Sequence, residues 1–237
     1  MANSYGASIV TDNLVLMLDA ANPRSYPGGL TWNDLSGNGN NATWPAGVVY
    51  RGNNQGYFQF GGAQYATSPL TQTNVTAYSI CLWFNTTNTT ASMTFIGGNT
   101  QPSLAIGINS GIGGSSTGNI WFGIIGAGVS IGVYTNSTYN DGRWHCVTGV
   151  FNQPSGSITP SNFTLYVDGF PVATTGTTYG SASVPITQPG SGTTRISSVP
   201  YTSGYIGYMS AFLVYNSALT STQAAQNFEA YRGRYGV

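Results

Sequence analysis

At 237 residues the chain is long enough for one large all-β domain or two small ones, and its 41% hydrophobic and 13% aromatic content supplies a core of that size. Only 5% of residues are charged (six Arg, no Lys, five Asp and one Glu, Glu229), against about 25% in an ordinary globular protein. The formal net charge of zero, without a basic cluster, argues against nucleic acid and anionic membranes as partners. The neutral Asn/Gln/Ser/Thr/Tyr surface that remains suits packing against neighbours.

No basic n-region or apolar h-region opens the chain, so no signal peptide is expected, and no apolar run is long enough to span a bilayer. Period-two alternation then recurs along the sequence. Leu14-Val15-Leu16-Met17-Leu18 is a nearly continuous apolar run and predicts a strand covered on both faces, lying near a last long strand at Tyr205 to Tyr215. Tyr57 to Phe60 alternates weakly, and Tyr78 to Phe84 puts Ile80, Leu82 and Phe84 on one face. Further strands are expected at Met93–Ile96, Leu104–Ile108, Ile120–Ile125, Val129–Val133 and His145–Phe151.

The stretch FTLYVDGFPVA predicts a hairpin in which Asp168-Gly169 is a two-residue turn and Pro171 confines the return strand to a sheet edge. Residues 109–118 and 174–194, rich in Gly, Ser and Thr, read as loops. Only the tail has a helical rhythm. Thr220 and Gln223 fit a capping box, Ala224, Ala225, Phe228 and Tyr231 share a face, and Gly233 is a plausible stop. No linker or repeat divides residues 1–237, so one all-β domain is expected, a two-sheet antiparallel jelly-roll sandwich with a short C-terminal helix.

Several polar residues invite a chemical reading. In WNDLSGNGNNATW, Asp34, Ser36, Asn38 and Gly39 match the first half of an EF-hand-like loop, but Pro45 stands where the bidentate Glu should be. A calcium site would need a second carboxylate, for which Asp19 is the best candidate. The alternative, which we adopt, is that Asp34 and the asparagines form Asx-turns between Trp32 and Trp44. Cys81 and Cys146 sit in hydrophobic strands and are expected to be buried free thiols, although a cross-strand disulfide is possible. The Asn-x-Ser/Thr sequons at Asn41, Asn74, Asn85, Asn88, Asn136 and Asn162 are no more than composition predicts.

LVLMLDAANPRSYPGG, TWNDLSGNGNNAT, DGRWHCVTGVF, LYVDG and IGYMSAFLVYNSALTSTQAAQNFEAYRGRYG follow one another in the order and spacing of laminin-G-like domains. The resemblance covers residues 9 to 237 and implies the concanavalin A-like jelly-roll fold. The opening and closing blocks are similar in particular to stand-alone versions found in tailed bacteriophages. The fold serves lectins, adhesion modules, glycosidases and structural proteins alike. Many laminin-G-like and pentraxin-like domains hold calcium, which bears on Asp34 and Asp19.

Glycosidases of this fold can carry a Glu-x-Asp-x-x-Glu strand, because glycoside hydrolysis needs two carboxylates flanking the bond. Here the single Glu lies in the terminal helix. A nucleophilic triad would need His145 as base, Ser or Cys146 as nucleophile and Asp141 as orienter. Position 145 is often His in laminin-G-like domains that are not enzymes, so a structural histidine is the better reading. No catalytic, cofactor-binding or metal residue is therefore assigned, and no enzyme is expected. Trp83 and Trp144 belong to the core, and core packing is also the better expectation for Trp32, Trp44 and Trp121.

The expected function is a non-enzymatic virion structural protein of a tailed phage, a decoration, fibre or appendage subunit assembled in the host cytoplasm and exposed on the particle. Its partners would be other virion proteins, further copies of itself and host surface glycans. A free carbohydrate-binding lectin or adhesin is the alternative, and a glycosidase of the same fold the third.

Overall fold

The alternating apolar residues build a two-sheet antiparallel sandwich with one C-terminal helix. A computed structural model describes residues 7–45, 48–52, 55–89, 92–109, 111–187, 192–197, 199 and 202–237. Residues 110 and 188–191 of the two expected loops lie outside the described residues.

In chain order the strands are β1 (Leu14–Asp19), β2 (Thr31–Trp32), β3 (Ala42–Thr43), β4 (Val49–Arg51), β5 (Tyr57–Gly61), β6 (Ala66–Ser68), β7 (Ala77–Asn85), β8 (Met93–Gly98) and β9 (Ser103–Ile108). They continue as β10 (Ile120–Gly126), β11 (Val129–Thr135), β12 (His145–Asn152), β13 (Phe163–Val167), β14 (Phe170–Pro171), β15 (Thr174–Tyr179), β16 (Thr194–Ile196), β17 (Ser203–Gly204) and β18 (Ile206–Tyr215), before helix α1 (Ser221–Tyr235). The first sheet runs β14-β13-β12-β7-β18-β5-β4, with β1 also on β18. The second runs β15-β11-β10-β9-β8-β16-β6-β3-β2, with β17 on β8 as a two-residue parallel pair.

Side-chain parity explains why the central strands read as unbroken apolar runs. Ile80, Leu82 and Phe84 of β7 face the core between the sheets, where Phe58, Phe60, Val147, Phe212 and Val214 meet Ile106, Phe122 and Ile124 of the second sheet. The other parity, Cys81 and Trp83, joins Cys146, Leu213 and Tyr215 on the outer face, under Phe228, Tyr231 and Tyr235 of α1. The Trp83 ring stacks between Tyr235 at 4.2 Å and Phe228 at 5.6 Å. β1 pairs with β18 (Leu16↔Val214, Leu18↔Phe212). Leu16 and Leu18 enter the central core while Leu14 and Met17 pack toward the helix, so both faces are covered as expected.

The Asp168-Gly169 turn has positive φ at both residues (52° and 82°), as a two-residue turn between twisted strands requires. The return strand is only Phe170–Pro171 and forms the edge of its sheet. Two expectations are corrected. Residues 174–179 are strand β15 instead of loop. Its sequence TTGTTY lacks apolar alternation because it is an edge strand with no buried residue, so burial imposed no period. Gly233 lies inside α1, and the stop is Gly236 in the left-handed region (φ 73°), whose N–H donates to Arg232 O. Continued burial of Tyr235 carries the helix past Gly233.

Candidate functional site

Asp34 is a turn residue whose two carboxylate oxygens are both occupied by protein donors. Oδ1 accepts the Met17 N–H (2.8 Å) and the Ser36 N–H (2.9 Å). Oδ2 accepts the Ser36 hydroxyl (2.8 Å) and the Asn40 N–H (2.9 Å). The Asn38 and Asn40 amides donate to Leu14 O and Val15 O, and Leu35 N–H donates to Met17 O. The loop therefore closes the free edge of β1 in the manner of a strand. Asp19, the expected second carboxylate, is 3% exposed and forms a bidentate pair with Arg234 (2.6 and 2.9 Å), far along the chain. The structure does not bring Asp19 and Asp34 together on one ligand.

His145 bridges two carboxylates. Nδ1 lies 2.8 Å from Asp168 Oδ2 and Nε2 lies 3.1 Å from Asp141 Oδ1, while Asp168 Oδ1 accepts the Cys146 N–H. Burial opposes charge on the imidazole, but the two carboxylates outweigh it and raise its pKa above the ordinary 6.5. Both ring nitrogens are thus spent on orienting turns. Neighbouring Cys146 points to the opposite face, where its sulfur sits 3.5 Å from that of Cys81, both thiols free and buried. The residues a triad would need, His145, Asp141 and Cys146, are not assembled as one: Asp141 meets the imidazole, and the thiol does not.

The remaining acids, Glu229 and Asp12, are surface residues, Glu229 pairing with Arg232 at 2.8 Å. All five tryptophans are buried, with Trp32 and Trp121 fully so and Trp44 at 3%, so none offers an open face to a ligand.

A polar groove opens on the first sheet. It follows from register. Gln59 of β5 and Asn85 of β7 both pair with Tyr208 of β18, which places the three side chains in a row on the outer face of the first sheet. Helix α1 covers that face further along, at Trp83 and Leu213, and stops short of this row. The groove of about 570 Å³ is walled by Thr86 to Thr89 and Gly142 on one side and Ile206 on the other.

Its rim is held by Asn85, whose amide donates to Gly142 O (2.7 Å), and by Thr86, whose hydroxyl donates to Ile206 O (2.7 Å). Gln59 Oε1 accepts from Arg51 at 3.3 and 2.9 Å, which leaves its amide N–H₂ without a protein acceptor among the described residues. Asn85 Oδ1 and the Tyr208 hydroxyl are likewise unengaged there. Tyr208 packs edge-on against Tyr57 at 5.1 Å, which fixes its ring. No charged side chain lines the groove among the described residues. The arrangement presents amide donors, amide acceptors and a phenol to a ligand rich in hydroxyls. No local pattern marks it, because Gln59, Asn85 and Tyr208 meet only through strand register.

A family model described as the concanavalin A-like lectin/glucanases superfamily matches residues 60–225. The chain belongs to that superfamily. A search of curated proteins gives no match. Among solved structures this superfamily member is similar to a Trypanosoma rangeli sialidase (17% identity, TM-score 0.64), aligned over 99% of this chain and 35% of the sialidase chain. The protein thus spans about a third of the sialidase it matches. It is also similar to domain 4 of a GH43 extracellular arabinanase from Geobacillus stearothermophilus, solved with arabinotriose (16% identity, TM-score 0.64, 92% of this chain and 98% of that one). A third is the binding domain of botulinum neurotoxin DC in complex with SialylT (14% identity, TM-score 0.56, 93% and 52%). At these identities the likeness is one of fold, shared with structural neighbours that bind carbohydrate.

Proposed function

We propose that this chain is a non-enzymatic glycan-recognition protein, and that the groove at Gln59, Asn85 and Tyr208 is where it holds the glycan. The observation that supports this reading is the row of unengaged neutral donors and acceptors beside a fixed tyrosine ring, in a concavity of saccharide size. The carbohydrate-bound neighbours of the same fold agree with it. Its non-catalytic character is supported by the carboxylates. Asp19, Asp34, Asp141 and Asp168 are each committed to structural partners, and no pair flanks the groove.

The setting we propose is the exterior of a tailed-phage particle, as a decoration, fibre or appendage subunit that engages host surface glycans. Two features favour it. The opening and closing sequence blocks resemble stand-alone phage domains, and a chain with only 5% charged residues can form wide interfaces without burying ions. A free lectin is the competing reading.

A glycan array with the purified protein tests the binding. Neutral oligosaccharides should be retained, and Gln59→Ala or Tyr208→Ala should weaken binding at least about tenfold, equivalent to about 1.4 kcal/mol. Retained binding in both variants would move the site elsewhere, and no binding to any glycan would remove the recognition role. Saturable hydrolysis of a glycan, ester or peptide, lost on substituting Asp141, His145 or Asp168, would reopen an enzymatic reading. Mass spectrometry of gradient-purified particles tests the setting: absence of the chain from virions would leave the free lectin.

A further inference from the structure

A sheet edge presents unpaired N–H and C=O groups, and proteins usually blunt such edges with charge, proline, a bulge, short length or a covering loop. Among the described strands, the edges at β1, β14, β2 and β4 are blunted in those ways. β1 is covered by the Asp34 loop. β14 is two residues long and contains Pro171, β2 is two residues long, and β4 is three residues long and carries Arg51.

Among the described strands β15 is different. It is six residues long, uncharged, free of proline, and paired with β11 in unbroken register from Ser130↔Tyr179 to Thr135↔Thr174. Tyr179 at its end is 70% exposed. Just beyond the strand, Asn136 N–H donates to Ala173 O, which sets the phase of the ladder. By alternation, Thr175, Thr177 and Tyr179 exchange bonds with β11, while Thr174, Gly176 and Thr178 turn their N–H and C=O groups away from the sheet.

We propose that β15 is the self-association edge of this protein, pairing antiparallel with β15 of a second copy about a two-fold axis at Gly176. The sequence identifies the occupant. Thr174-Thr175-Gly176-Thr177-Thr178 reads the same in both directions, so an antiparallel strand that matches it residue for residue is another copy of itself. In that register Thr174 meets Thr178 of the partner, Gly176 meets Gly176, and each outward-facing pair exchanges two backbone hydrogen bonds. Threonine opposite threonine is a favourable cross-strand pair on an antiparallel sheet. Gly176 at the axis adds no side chain to either face of the joined sheet, and two chains of zero net charge do not repel. The contact is isologous, so it closes as a dimer and does not propagate. The two second sheets become one continuous sheet across the axis. The groove at Gln59 lies on the other sheet and stays open in each copy.

Sedimentation of the full chain at increasing concentration tests this. The wild type should move from monomer to dimer. The double substitution T174K/T178K, which sets ammonium against ammonium across the axis, should remain monomeric. Mixing it with T174E/T178E should restore a dimer holding one chain of each. Hydrogen exchange on the wild type gives a reading that needs no variant: the Thr174, Gly176 and Thr178 amides should become protected as concentration rises. A wild type that stays monomeric throughout overturns the proposal. So does a dimer that leaves those three amides unprotected, or one that T174K/T178K does not disturb.

Discussion

Replacing Asp34 with Ala removes a carboxylate that accepts four hydrogen bonds, three of them from backbone N–H groups and one of those on β1 itself. A hydrogen bond to a charged acceptor contributes about 1.5–3 kcal/mol where water cannot substitute. All four bonds are part-buried, so their donors regain much of that from solvent. A loss of about 3 kcal/mol is the resulting expectation, or roughly 6–12 °C in Tm for a chain of this size. Asp34→Asn keeps the oxygen facing Met17 but sets an N–H₂ against the Asn40 N–H, so it should cost about half as much.

Urea denaturation of the two variants reads these values. Hydrogen exchange at the Met17 amide tells whether the β1 edge has opened. The Asp34 carboxylate is already satisfied by protein donors, so exchanging excess EDTA for millimolar Ca²⁺ should move Tm by less than about 2 °C. The reasoning fails if Asp34→Ala lies within about 0.5 kcal/mol of wild type. A large calcium-dependent rise in Tm that Asp34→Ala abolishes would refute it as well.

Stability should depend on pH through His145. Its folded pKa is raised, so its contribution is fully present below the ordinary value of 6.5 and is lost as pH climbs through the folded value. The urea midpoint should therefore fall across that window in wild type and lose that step in His145→Gln. Gly149→Ala should destabilise by about 1–3 kcal/mol, because a Cβ there would stand 2.8 Å from the Phe122 ring in the packed interior; equilibrium denaturation measures it. Trp83→Ala should cost about 3–5 kcal/mol in the same measurement, since the ring is fully covered by Phe228 and Tyr235. Cys81 and Cys146, buried as free thiols, should not react with a thiol reagent in the native protein and should both react in denaturant.

What could be read from the sequence was whatever burial writes into it. The period-two runs at Tyr78–Phe84 and His145–Phe151 mark strands of the first sheet because their alternate residues face different apolar layers. The Asp168-Gly169 turn and the Thr220 capping box were legible for a local reason: each is satisfied by its own few residues. β15 was missed because an exposed edge strand has no buried face to impose alternation. Asp34 was legible as an Asx-turn, but its role in covering β1 was not, since Met17 and Leu14 lie well away in the chain. The Arg234 partner of Asp19 and the Asp168 partner of His145 were hidden likewise. Arg234 and Asp168 reach them only after the helix and the hairpin have docked.

Burial also decides where the groove sits. The outer face of the first sheet must be covered wherever its strands present large apolar side chains, and α1 lies over Trp83, Cys146, Leu213 and Tyr215. Along the same faces of β5, β7 and β18 the residue types change to Gln59, Asn85 and Tyr208, which need no cover. A longer or shifted helix would bury these amides and leave their donors and acceptors unsatisfied. The end of apolar demand on this face thus fixes both the reach of the helix and the opening of a neutral, hydrogen-bonding surface beside it. A ligand that brings its own hydroxyls can complete those bonds without bringing a charge.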